Sequence, residues 1–179
     1  MKINQHRSVY PIVTLLFLGL ALLPSAQANT ALGSVGLSMG LLAPSDNLQS
    51  RFAWGVRTEY RALPLLRTGA WIVTASKMVG ALDSRITSFG IDGALMPGED
   101  SGGFYAGGKL GATILSNNLI TSGTDTTAFT AGPQMGWDYF FYGKNEGFSI
   151  GPEFSYLFVF APSNSIGIFS MLFSLKLHF

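Results

Sequence analysis

The sequence has no cysteine in its 179 residues, which excludes a disulfide framework, thiolate metal sites and thiol chemistry. Charge is scarce as well. Asp, Glu, Lys and Arg make up 12%, against about 25% in an average globular chain. The formal net charge of +1 gives no basic excess of the kind that draws nucleic acid. Beyond residue 28 there is no run of 18 apolar residues, and this excludes a membrane-spanning helix from that part of the chain. Histidine is limited to His6 and His178, so few positions can supply an imidazole base.

What is present begins with an export leader. Lys2, His6 and Arg7 precede an apolar run from Ile12 to Leu23, and Ala26-Gln27-Ala28 follows as a small-x-small cleavage pattern. Residues 1–28 are therefore expected to be a cleaved signal peptide and 29–179 the single domain. Losing Lys2 and Arg7 leaves that domain slightly acidic. Aromatics reach 13% and there are 22 glycines. An exported chain poor in charge, rich in aromatics and without membrane helices points to a closed barrel, because only helices and closed sheets satisfy the backbone within lipid.

Alternation along the chain supports this. Phe52, Trp54, Val56 and Tyr60 alternate with Ala53, Gly55, Arg57, Glu59 and Arg61, the period of a strand with two unlike faces. Similar patterns start near Ser34, Ser84, Gly103, Thr127, Gly147 and Phe169. A further strand, about Arg67 to Lys77, has no readable facing, since Trp71 and Val73 oppose Ala70 and Ile72. The fold class is thus all-β: an eight-stranded, antiparallel, up-and-down transmembrane β-barrel.

With both termini on the periplasmic side, the outer loops (43–50, 78–83, 116–126 and 161–166) are longer than the turns at the other end, as in outer-membrane barrels. Aromatics also gather near both strand ends, as in interfacial girdles. Tyr60, Phe104, Trp137, Tyr139, Phe148 and Phe179 lie at one end. Phe52, Trp54, Phe129, Tyr156, Phe158 and Phe169 lie at the other. Pro133 and Pro152 fall inside strands, where each must mark a bulge or a missing hydrogen bond.

The final strand alternates Phe169, Met171, Phe173, Leu175, Leu177 and Phe179. This resembles the carboxy-terminal signal by which outer-membrane barrels are recognised, and the whole chain resembles the small barrels of the OmpA/OmpX type. The resemblance implies a bacterial outer-membrane location and Phe179 as the assembly signal. It also implies partners among outer-membrane lipid, lipopolysaccharide and the barrel assembly machinery, and a monomeric state. It names no surface ligand.

An eight-stranded barrel has an interior just wide enough for side chains. Parity places Arg57, Arg61, Lys109 and Lys176 inside with Glu59, Asp92, Asp138 and Glu153, a balance that suits mutual pairing. Inward Gly and Ser leave a second reading open, a narrow conduit for water or small ions. A third reading, a lipid A-modifying enzyme, finds little support. Asp83-Ser84 has no accompanying histidine, and no serine stands two positions after His178. Glu99-Asp100 reads as a solvated turn. The expectation is a non-enzymatic protein without cofactor or metal, with a lumen closed by ion pairs and a structural or surface-interaction role.

Overall fold

The computed structural model describes residues 33–45, 50–63, 65–79, 82–96, 103–116, 125–141, 147–161 and 165–179. The expected leader, residues 1–28, and the Glu99-Asp100 turn lie outside them. The strands are β1 (Gly33–Pro44), β2 (Arg51–Leu63), β3 (Leu66–Val79), β4 (Leu82–Leu95), β5 (Phe104–Ser116), β6 (Thr126–Trp137, continued beyond Asp138 by Tyr139–Phe141), β7 (Gly147–Phe160) and β8 (Ser165–His178). Each is antiparallel to the next, and β1 closes on β8 from Ser34↔His178 to Pro44↔Ile168. Among the described residues every strand has a partner on both sides, so the backbone is paired largely without water, with two lapses between β6 and β7.

β3 and β4 run further than alternation suggested. Their ladder continues to Met78↔Asp83 and Val79↔Leu82, so most of the loop expected at 78–83 is strand. The facing of β3 is also settled. Arg67, Trp71, Val73 and Ala75 are buried, so its odd residues point inward.

The two surfaces are inverted relative to a water-soluble barrel. Polar and charged side chains are buried, while Leu37, Met39, Ile91, Leu110, Met135 and Leu175 are exposed. Aromatics ring the exterior near both ends. Phe129 and Phe160 stack at 5.9 Å near one end, and Trp137 lies 6.0 Å from Phe104 and 6.1 Å from Tyr139 near the other.

Leu37, flanked by Val56 and Leu175 on the neighbouring strands, is 60% exposed on this apolar band. Leu37→Arg is expected to lose about 2–4 kcal/mol in lipid vesicles, the cost of an arginine near the midplane. Ser38→Ala, on the opposite face, should change stability by less than about 1 kcal/mol. Urea titration of the refolded protein checks both.

Candidate functional site

Among the described residues, functional groups converge in the lumen, which is layered along the barrel axis. Nearest the end that carries both chain termini is an ionic layer centred on Arg57 of β2. Its Nη1 donates to Glu153 and its Nη2 to Asp92. Nη2 also donates to Gln134 Oε1 at 3.1 Å, and Nε lies 2.8 Å from Glu59. Glu153 accepts in addition from Lys109 Nζ at 2.5 Å and from the Tyr105 hydroxyl at 3.1 Å. Lys176 Nζ lies 3.2 Å from Glu59 and 3.0 Å from Asp138.

Arg67 of β3 completes the layer, 2.9 Å from Asp138 and 3.3 Å from Glu59. Its guanidinium carbon stacks 3.3 Å from the Tyr105 ring centroid. Among the described residues, Arg67 Nε and Nη2 have no hydrogen-bond acceptor, and the electron-rich ring face compensates part of that loss. Arg57, Arg67, Lys109 and Lys176 thus match Glu59, Asp92, Asp138 and Glu153 one for one. That balance matters because an unpaired ion in this setting is costly.

Arg61 is not part of the layer. It is half-buried at the end of β2, and among the described residues no ion pair reaches it. It stands directly opposite Arg67, with a register shift just beyond. Like charges opposed across a ladder repel. Arg67 occupies the lumen, and Arg61 remains at the rim.

Trp71 separates the ionic layer from what lies above. Lys109 Nζ sits 4.9 Å from its ring centroid, and its Nε1 donates to the Ile91 carbonyl at 3.3 Å. Hydroxyls bond to one another at mid-height: Ser88 to Thr113 at 2.8 Å, Thr113 to Thr130 at 2.7 Å, and Ser155 to Ser170 at 2.6 Å. The far end is apolar. Leu42, Ile86, Leu115, Leu157, Val159 and Ile168 are buried against one another there. Arg51 lies buried at this end, its Nη1 donating to the Ser84 carbonyl at 2.9 Å.

This apolar plug was not anticipated from parity, which marks a residue as inward but carries no information on what meets it. A local signal existed. From Tyr156 to Ala161 the alternation lapses and both faces become apolar.

At the terminal end, Ser149 Oγ and His178 Nε2 are 2.7 Å apart, with Phe140 5.1 Å from the imidazole. Sequence spacing could not find this serine, because β7 and β8 bring it to the histidine from 29 residues away. Phe179 exchanges backbone hydrogen bonds with Gly33 at 3.0 and 3.1 Å, and its ring is exposed.

No protein-family model and no curated protein matches the sequence. Solved structures do match the fold. Neisserial surface protein A superposes with a TM-score of 0.68 at 16% identity, covering 82% of this chain and 97% of that one. This chain has the fold of the small eight-stranded outer-membrane barrels. Two further barrels agree. Ail, the attachment invasion locus protein of Yersinia pestis, gives a TM-score of 0.52 at 12% identity, covering 81% and 96%. The N-terminal β-barrel domain of Pseudomonas aeruginosa OprF gives 0.52 at 14% identity, covering 82% and 97%. An outer-membrane-type barrel of this strand number is too narrow for large solutes, so what fills the lumen decides what it can do.

Proposed function

We propose that the protein is a non-enzymatic, monomeric integral protein of the bacterial outer membrane, with a lumen closed to solutes and both termini in the periplasm. The observation that carries this reading is the apolar plug. Water crossing the barrel would have to pass Leu42, Ile86, Leu115, Leu157, Val159 and Ile168, packed against one another beside the single buried cation described at this end, Arg51, whose Nη1 is taken by the Ser84 carbonyl. The ionic layer below supports the same reading, because its charges are engaged with one another.

In this orientation the plug faces the outside and the ion pairs face the periplasm. Phe179, exposed at the closing strand, is the proposed contact for the barrel assembly machinery. The absence of catalysis is supported by Ser149, which is fully buried and offers its hydroxyl to no substrate.

The proposed role is envelope integrity or surface contact. Two structural neighbours are named a surface protein and an attachment invasion locus protein, and the latter has been captured with the heparin analogue sucrose octasulfate. A surface role reaches this chain by that likeness. The segments that would carry it, 46–49, 80–81, 117–124 and 162–164, lie outside the described residues.

Planar-bilayer recording tests the closed lumen. The expected result is no resolved single-channel current. A steady current sensitive to Lys109→Met would replace this reading with the narrow-channel one. Lipid A masses from cells with and without the protein should be identical, and an acyl-chain difference would favour an enzyme.

A further inference from the structure

The β6–β7 seam differs from its neighbours. Between β3 and β4 the ladder is continuous from Leu66↔Leu95 to Val79↔Leu82. Between β6 and β7 the register is preserved, yet pairing lapses twice. It lapses where Gly132-Pro133 faces Tyr156-Leu157, and again where Trp137-Asp138 faces Gly151-Pro152. Each lapse contains a Gly-Pro dipeptide, one on either strand. Pro133 keeps its place opposite Gly108 of β5, and Pro152 keeps its place opposite Phe173 of β8. The N–H each proline lacks is therefore the one that would have crossed the seam.

A Cβ added at Gly132 would strike the Tyr156 carbonyl oxygen, and one added at Gly151 the Trp137 carbonyl oxygen. Within lipid such carbonyls find no replacement donor from water.

Inside the barrel, the residue after each proline points into the lumen, and both reach one group. Gln134 accepts from Arg57 Nη2, and Glu153 accepts from Arg57 Nη1. β2 stands across the barrel from β6 and β7 in the strand order. One guanidinium thus spans the lumen and ties together the two strands whose direct bonding the prolines weaken.

We propose that the β6–β7 seam is a lateral opening in the barrel wall and that Arg57 is its latch. Between the two lapses only Gln134↔Ser155, Met135↔Phe154 and Gly136↔Glu153 remain paired. When either arm of the guanidinium releases, this stretch parts. The space behind it is the ionic layer, so the opening serves polar groups, while the apolar plug stays shut. This path runs between lipid and lumen and is independent of conduction along the axis.

Amide hydrogen exchange in lipid nanodiscs tests the proposal. In the unaltered protein, the amides of Met135 and Phe154 should exchange faster than those along the β3–β4 seam. Pro133→Ala and Pro152→Ala each return a donor to the seam and should slow that exchange. Gln134→Leu removes one arm of the latch without changing charge. It should speed exchange at the seam roughly fivefold to tenfold, the factor expected for one lost hydrogen bond, and leave β3–β4 unchanged. Equal protection of both seams, with no response to either proline replacement, would overturn the opening. Unchanged seam exchange in Gln134→Leu would overturn the latch.

Discussion

Glu153→Gln should lower the free energy of unfolding in urea by about 3–5 kcal/mol, the usual cost of breaking a buried ion pair from one side. The loss falls chiefly on Lys109, which has no other carboxylate partner among the described residues. Arg57 keeps Asp92 and Glu59. The double replacement Glu153→Gln with Lys109→Met should therefore regain most of the loss, since removing both charges of a buried pair is often nearly neutral. A water-filled lumen predicts otherwise. Solvated pairs contribute only about 0–1 kcal/mol, so the single variant would then unfold almost normally and the double variant would gain nothing. The two urea midpoints, measured in the same lipid, distinguish these cases.

Trp71→Ala should be similarly costly, about 3–5 kcal/mol, because it empties the volume between the ionic layer and the apolar plug. The indole is only 4% exposed and belongs to the apolar cluster, while its face meets the Lys109 ammonium. Trp71→Phe should recover most of the stability. What remains lost is the Nε1 bond to the Ile91 carbonyl, about 1 kcal/mol, and some packing. Urea unfolding in lipid vesicles checks the pair. A loss below about 1 kcal/mol for Trp71→Ala would mean that the ring is solvated and the plug is not dry.

The barrel is legible in the sequence because the strands turn large apolar side chains outward and small or polar ones inward. Alternation such as Phe52-Ala53-Trp54-Gly55 is then a direct record of facing. Depth was harder to read. Arg61 and Arg57 have the same parity, yet one lies at the rim and the other at the centre of the ionic layer, because parity does not report distance along the axis. Arg67 is not legible as a lumen residue because β3 carries bulky residues on both faces around Trp71. Gly55 shows a further limit. It is an inward position with no apparent demand, yet an added Cβ would strike the Ile72 carbonyl and the Val73 side chain. Ser149 and His178 meet only once β7 and β8 are paired, so no local spacing announces them. Pro133 and Pro152 were recognisable as faults in their strands. That both faults fall on one seam depends on register, which a single strand does not reveal.

The plug has a consequence before the barrel exists. Strands that bury an apolar cluster at one end and turn apolar side chains outward lose most of their polar side there. Tyr156-Leu157-Phe158-Val159-Phe160-Ala161 carries no charge and no proline, and five-to-seven-residue windows of this kind, rich in β-formers, are prone to self-association when exposed. Ile166 to Phe169 is similar and becomes its neighbour, through Val159↔Ile166 and Tyr156↔Phe169. While the chain is still in water, this hairpin is prone to pair with its like on another copy. Whatever escorts the polypeptide to lipid must keep these segments of different copies apart until β7 and β8 have found each other.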